Sequence, residues 1–320
     1  MGAFVSGGAG FIGANLVARL IAEGGCVVAA DNFVRGSRRH LAGFDGHPRF
    51  CLVEADLATS KGCAAAFEAA DRFGPIETVW HLAANSDIAA GLADPRIDLR
   101  DTFMTTFEIL GQMRRIGARR LIFASSSAVY GDFGEVELHE DIGPLTPISN
   151  YGAMKLASEA QACAAVEDFL EQALLLRFPN VIGSPSTHGV IFDFVRRLRD
   201  EPAVLRVMGD GTQRKPYLHV SELIEAMVLA RDKAPGGVHA YNIGPSDIGV
   251  TVALIAQCVA DRVSPTARLE FGDGPRGWVG DVPRFRYSIE RIARLGWAPR
   301  LSSRQAVSRA IDEIIRQDGA

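Results

Sequence analysis

Tyr151 and Lys155 stand four residues apart in the stretch Tyr151-Gly152-Ala153-Met154-Lys155. On an α-helix that spacing puts both side chains on one face, within reach of a single ligand. A phenol keeps its proton at neutral pH, but a neighbouring cation stabilises the phenolate and lowers its pKa. The pair therefore reads as an acid–base group able to take a proton from an alcohol and return it. Ser126, in Ala124-Ser125-Ser126-Ser127-Ala128-Val129-Tyr130-Gly131, ends an apolar run and can hydrogen-bond the same alcohol oxygen. Such a Tyr–Lys spacing is common by chance, so its meaning depends on the elements that position it.

Those elements alternate. Ala3–Ser6, Cys26–Ala30, Arg49–Glu54, Thr78–Leu82 and Leu121–Ser125 are short apolar runs bounded by turn residues and predict strands. Between them Phe11–Glu23, Lys61–Phe73 and Ile97–Ile116 carry apolar residues at helical spacing. A long helix over Ser149–Phe169 then leads into a strand at Ala173–Phe178. Strands alternating with helices predict an α/β fold, a Rossmann-type doubly wound parallel sheet covered on both faces.

After Arg177 the segments shorten, with turns at Pro179-Asn180, Ser184-Pro185 and Gly209-Asp210-Gly211. Helices are predicted at Val190–Arg199, Ser221–Lys233, Thr251–Val263, Ser288–Leu295 and Ser303–Arg316. The expected organisation is a nucleotide-binding domain over 1–178, with a returning segment near 216–245 that adds a strand around His239–Ile243. A smaller mixed α/β domain takes 179–215 and 246–320.

At the end of the first strand lies Gly7-Gly8-Ala9-Gly10-Phe11-Ile12-Gly13, opening the first helix. Gly7, Gly10 and Gly13 have the spacing of a phosphate-binding turn: a tight bend, a close backbone approach, and helix–strand packing. The helix start adds unpaired N–H groups, Phe11 and Ile12 among them, and the positive end of the dipole. Asp31 ends the second strand about 20 residues on, where an acid binds a ribose diol. An acid there repels the extra phosphate of NADP, so the expected cofactor is NAD; Arg35 and Arg38, close behind, work in the opposite sense.

A net charge of −4 over 320 residues makes no electrostatic case for nucleic acid or an anionic membrane. No apolar run is long enough to cross a bilayer, and the early strand and glycine turn give no sign of a leader. Five scattered cysteines, Cys26, Cys51, Cys63, Cys163 and Cys258, predict buried thiols in a cytoplasmic protein, with neither disulfide framework nor metal site.

With these residues in place, the chain resembles an extended short-chain dehydrogenase/reductase of the NAD-dependent epimerase/dehydratase group, from Met1 to about Pro299. Supporting stretches are Asp31-Asn32-Phe33, Glu54-Ala55-Asp56-Leu57, His81-Leu82-Ala83-Ala84, Arg177-Phe178-Pro179-Asn180-Val181, Gly209-Asp210-Gly211-Thr212-Gln213 and Leu295-Gly296-Trp297. The resemblance implies that Asp31 and Asn32 serve the cofactor, that Asp56 contacts adenine with Leu57 beside it, and that Leu82, Ala83 and Ala84 line the cofactor diphosphate. It gives Tyr151 and Lys155 a cofactor contact besides their catalytic part. It also implies a homodimer built on the helices near Ile97–Ile116 and Ser149–Phe169.

In that group Tyr151 would remove the proton of a sugar C4 hydroxyl while hydride passes to NAD. The 4,6-dehydratases carry an Asp-Glu pair directly after the catalytic Ser or Thr, and decarboxylating relatives keep a Glu at the second place. Here those positions are Ser127 and Ala128. Without a carboxylate elimination lacks its acid–base pair, whereas a 4-epimerase needs none. The expected reaction is 4-epimerisation of a nucleotide sugar, a UDP-hexose or UDP-hexuronate. The alternatives are a 4,6-dehydratase or ketosugar reductase of the same group, and a non-catalytic NAD-binding protein.

Candidate substrate residues are Ser127 beside the sugar, Asn180 on the diphosphate, Val190 opening a helix, and Lys215 with Tyr217 after the Gly-Asp-Gly turn. Lys215 stands where many relatives have an arginine, and offers a point charge instead of a bidentate fork. Where relatives often show Arg-Pro-Gly-Asp this chain has Trp278-Val279-Gly280-Asp281, and Arg276 is the nearest upstream arginine.

Overall fold

The computed structural model describes residues 2–134, 136–274, 282 and 285–317. Its large sheet holds seven strands: β1 (Gly2–Ser6), β2 (Cys26–Asp31), β3 (Phe50–Glu54), β4 (Thr78–His81), β5 (Arg120–Ser126), β6 (Gln172–Phe178) and β7 (Gly237–Asn242). Their spatial order is β7-β6-β5-β4-β1-β2-β3. The order reverses at β1, since β1 pairs parallel with both β2 and β4; β2 with β3 and β4 with β5 are parallel too. The crevice at the C-terminal ends of strands beside such a reversal is where open α/β sheets bind ligands.

Parallel strands buried on both faces must be apolar throughout, and β1, β2 and β4 are nearly so. The covering helices are α1 (Phe11–Ala22), α2 (Ser60–Phe73), α3 (Thr105–Ile116) and α4 (Asn150–Asp168). Phe4, Phe67, Ile109, Met113, Leu121 and Phe123 are fully buried together in the core between β1, β4, β5 and two of these helices. α2 starts where the Thr59 side chain accepts the Gly62 N–H, and α4 where Ser149 accepts that of Gly152.

The sequence predicts one helix over Ile97–Ile116, and the structure divides it. Asp94 caps a short helical turn that starts with Pro95 at its first position, a π-helical stretch follows over Leu99–Met104, and α3 begins at Thr105. Thr105 and Thr106 bond back to the Asp101 and Thr102 carbonyls at this junction. The thiols also differ from expectation. Cys63 is buried, Cys51, Cys163 and Cys258 are half-buried, and Cys26 is exposed at the open end of β2; all five are free.

The chain forms two compact units, one of 1–131, 145–177 and 227–241, the other of 132–144, 178–226 and 242–320. The strand Tyr217–His219 belongs to the second because it pairs parallel with Asn180–Ile182. This unit packs its own core, including Phe194, Leu205, Val259, Val307 and Ile311, around the helices Val190–Asp200, Val252–Val263 and Ser303–Gln317.

Candidate active site

The glycine turn is held by β2. The N–H groups of Gly7 and Gly8 donate to the Ala30 carbonyl, and Gly10 N–H folds back to Gly7 O at 3.1 Å. Gly7 has φ +67°, a conformation glycine adopts at low cost. A Cβ at Gly13 would lie 2.1 Å from Gly7 O, so only hydrogen lets α1 pack this closely. Gly10 caps α1 with no side-chain hydrogen bond, and no acidic residue enters the first turn. The first N–H groups of α1, those of Phe11, Ile12 and Gly13, thus meet no capping side chain. That is the arrangement a pyrophosphate fits.

Asp31 is 7 % exposed at the end of β2. Its Oδ2 accepts from Ala9 N–H at 3.0 Å and its Oδ1 from Phe33 N–H at 2.8 Å, which locks the carboxylate against the turn. Burial raises its pKa, opposed by these backbone hydrogen bonds. The Asn32 side chain accepts from Val34 N–H. Arg35 is paired with Asp87, and Arg38 with Glu54 at 2.5 Å. Neither arginine is an uncommitted cation behind the ribose position.

Asp56 accepts from Ala58 N–H and pairs with Arg100, while Leu57 is buried in the core. The N–H groups of Leu82 and Ala83 donate to Ser6 Oγ at 3.0 and 3.1 Å. A Cβ at Gly7 would lie 3.0 Å from Ala83 N, so the turn and the Leu82–Ala84 stretch are in direct contact. Behind them runs a buried polar chain: Ser6 Oγ to His81 Nδ1, His81 Nε2 to Thr106 Oγ1, and Thr106 Oγ1 to Ser158 Oγ on α4. Burial holds His81 well below its ordinary pKa, so the imidazole is neutral.

Ser126, Tyr151 and Lys155 come together as the spacing predicts. Ser126 ends β5, accepts from Ala128 N–H, and hydrogen-bonds the Tyr151 hydroxyl. Lys155 is 2 % exposed, with Nζ 4.6 Å from the Phe123 ring centre and 5.8 Å from that of Tyr151. Its Nζ donates to the Ala124 carbonyl. Burial lowers the ammonium to about 7, against the attraction of Glu159. Tyr151 is pushed up to about 12, by burial first and then by the Asp98 carboxylate, while the Ser126 hydrogen bond opposes. The expected lowering of the phenol is thus not a property of this resting geometry. Here burial outweighs the Ser126 hydrogen bond.

Ser127 opens a short 3-10 turn directly after Ser126. In the second unit, Asn180 is exposed and lies in register with Tyr217. Tyr217 itself is 4 % exposed and packs in the apolar core of this unit. Lys215 is buried in a two-residue strand opposite Val250, and Arg214 donates to the Gly249 carbonyl. Val190 is the first residue of its helix after Gly189. Arg276 and Trp278 lie outside the described residues.

Sequence reasoning passed over Glu159, bonded to Ser125 and Arg177 inside the first unit. An arginine within the apolar run Leu174-Leu175-Leu176-Arg177-Phe178 was the available signal, because a charge in a central strand needs a buried partner.

A glycine turn at a sheet reversal and a Ser–Tyr–Lys cluster at the end of β5 are features expected of a dinucleotide-dependent redox site. The NAD dependent epimerase/dehydratase family model matches residues 3–244, and the chain belongs to that family, whose cofactor is NAD. UDP-glucuronic acid decarboxylase 1 of Arabidopsis thaliana is 27% identical over 97% of this chain and 68% of its own length. A solved UDP-galactose 4-epimerase is 33% identical over 99% of both chains, with a TM-score of 0.85. The UDP-glucose 4-epimerase of Thermus thermophilus, solved in complex with NAD, is 28% identical over 98% of this chain and 99% of its own, with a TM-score of 0.84.

Proposed function

We propose that this protein is an NAD-dependent nucleotide-sugar 4-epimerase acting on a UDP-hexose or UDP-hexuronate. The observation that carries the reading is the Ser126–Tyr151–Lys155 cluster followed by Ser127 and Ala128, a turn with no carboxylate. The N–H groups of the first turn of α1 and the Asp31 carboxylate would hold NAD, with Leu82–Ala84 and Asp56 beside it. Bound NAD supplies the hydride acceptor, the hydride donor for the return step, and a positive ring.

Tyr151 takes the proton of the sugar C4 hydroxyl, Ser126 hydrogen-bonds the same oxygen, and Lys155 offsets the phenolate charge. The 4-keto sugar then turns its other face, and Tyr151 returns the proton as hydride is returned. Asp98, the carboxylate that acts on Tyr151, is 1 % exposed and accepts at Oδ1 from Asn85, and burial raises its pKa. Ser127 is the candidate for the sugar C6 group, and Asn180 and Lys215 for the diphosphate.

The active form is proposed as a cytoplasmic homodimer. The free cysteines fit a reducing compartment. Leu99 and Phe107, 47% and 51% exposed on the helical segment ending in α3, offer an apolar face to a second copy.

The test is incubation of the NAD-loaded protein with UDP-, GDP-, CDP- and dTDP-sugars, read by proton NMR. Inversion at C4 without net NADH is the expected result. Accumulation of a 4-keto or decarboxylated product, or no change in any sugar, would overturn the epimerase reading.

A further inference from the structure

Glu159 stands one turn beyond Lys155 on the same face of α4 and is 3 % exposed. A carboxylate taken out of water is costly unless donors and cations meet both its oxygens. Here Oε1 accepts from Ser125 Oγ at 2.5 Å and from Arg177 Nε at 2.9 Å, and Oε2 accepts from Arg177 Nη2 at 2.6 Å. Arg177, on β6, is 6 % exposed. The fork-to-fork contact fixes the orientation of both groups. The remaining nitrogen, Nη1, donates to Tyr130 Oη at 3.1 Å, and the guanidinium lies over that ring at 5.0 Å.

Ser125 directly precedes Ser126, and Tyr130 closes the turn that follows it. One carboxylate thus holds both ends of the segment carrying Ser126, directly at Ser125 and through Arg177 at Tyr130. It fastens them to the helix that carries Tyr151 and Lys155. Stability alone does not explain the choice, because apolar residues of similar volume often replace a buried ion pair without loss.

Charge supplies the second reason. Lys155 is faced by Tyr151 and Glu159 from its own helix, by neutral His81 from β4, and by the Phe123 ring from β5. Glu159 is faced by Arg177 from β6, by Cys163 on its own helix, and through Arg177 by Tyr130. Of these groups, Glu159 is the one whose charge favours the lysine cation.

We propose that Glu159 is a positioning residue of the reaction: through Ser125 and Arg177 it sets Ser126 against Tyr151, and its charge holds Lys155 as the cation Tyr151 needs. This rests on Tyr151 and Lys155 being the acid–base pair of the proposed function.

The decisive measurement is the 13Cε shift of Lys155 against pH in NAD-loaded protein carrying labelled lysine, with Lys155→Met to assign the signal. Glu159→Gln keeps the size and the acceptor oxygen but loses the charge. Its Lys155 midpoint is expected to fall by about 1 pH unit, and kcat at pH 7 by about tenfold, with KM little changed. Ser125→Ala keeps the charge, so it should lower kcat and leave the midpoint in place. A midpoint in Glu159→Gln equal to that of the parent overturns the proposal. Should that variant not fold, the double variant Glu159→Met with Arg177→Met removes the pair as a unit. A fall in its Lys155 midpoint supports the proposal and an unmoved one overturns it. The titration needs no substrate, so a chain that epimerises nothing refutes the proposed function while Lys155 still reports on Glu159.

Discussion

Lys155 donates from Nζ to the carbonyl oxygen of Ala124 at 2.6 Å, which ties the helix of the catalytic pair to the strand that ends at Ser126. The ammonium rests against that strand end and the Phe123 ring. In the proposed reaction its contribution is its charge and its position.

Removing the phenol oxygen removes the base while leaving the ring. Tyr151→Phe is expected to lower kcat by about 10²- to 10⁴-fold, the range of general acid–base contributions, and to retain NAD. Lys155→Arg should fare no better, because a planar five-donor fork does not fit a pocket shaped for a compact ammonium against one carbonyl and the Phe123 ring. Turnover by NMR and bound nucleotide by absorbance after denaturation check both. Near-normal turnover in Tyr151→Phe would remove Tyr151 from the mechanism.

The same burial makes stability depend on pH. Lys155 is lowered from its ordinary 10.5 to about 7 in the folded protein. Between these values the unfolded chain holds a proton that the folded chain has released, so this group makes stability rise with pH from about 7 towards 10.5. Below pH 7 both states are protonated and the burial of the charge is felt in full. Replacing Lys155 by Met should therefore raise Tm relative to the parent most at pH 6 and least at pH 9. Tyr151, pushed up from 10.0 to about 12, contributes only above that range. A Tm difference constant from pH 6 to 9 would show that the lysine is not desolvated.

The sheet and the Ser126–Tyr151–Lys155 cluster were legible because each follows from a short-range rule. Apolar runs with period two or none make strands, and a spacing of four makes a shared helix face. What escaped depends on contacts distant in sequence. Arg177 and Glu159 are 18 residues apart, His81 and Ser6 are 75 apart, and nothing local to either member names its partner. The break at Leu99–Met104 was hidden because a π turn leaves the apolar pattern on both sides intact. The burial of Tyr217 was also hidden, because a motif records which residue is present and not which way its strand faces.

Gly13 offers a steric test of the nucleotide turn. A methyl group there would meet Gly7 O at 2.1 Å and the Gly8 Cα at 2.8 Å, both backbone atoms that cannot swing aside. Gly13→Ala must push α1 away from the turn or distort the Gly7–Gly10 bend, and either moves the first N–H groups of the helix. The variant is expected to lose NAD during purification and to bind added NAD at least about tenfold more weakly, since contacts at such a terminus require close approach. Titration calorimetry measures it, and parent-like affinity would place the diphosphate elsewhere.

The choice between NAD and NADP turns on the balance of charge around Asp31. Its carboxylate is held by Ala9 and Phe33 N–H groups, so it cannot rotate away from a 2′-phosphate. Arg35 and Arg38 are nearby cations, but Asp87 and Glu54 occupy them, and Arg38 also lies over the Phe33 ring at 4.5 Å. Exposed pairs of this kind are each worth only about 0–1 kcal/mol, so a phosphate could draw the arginines away if Asp31 did not repel it. Asp31→Asn removes the repulsion, and also turns an amide N–H₂ towards one of two backbone donors, which costs about 1–3 kcal/mol of stability. The ratio of the NADP to the NAD dissociation constant should therefore fall by at least about tenfold, equal to about 1.4 kcal/mol, while Tm drops. Both constants can be read by calorimetry on nucleotide-stripped protein. An unchanged ratio would mean that the preference is set by the shape of the ribose pocket and not by the Asp31 charge.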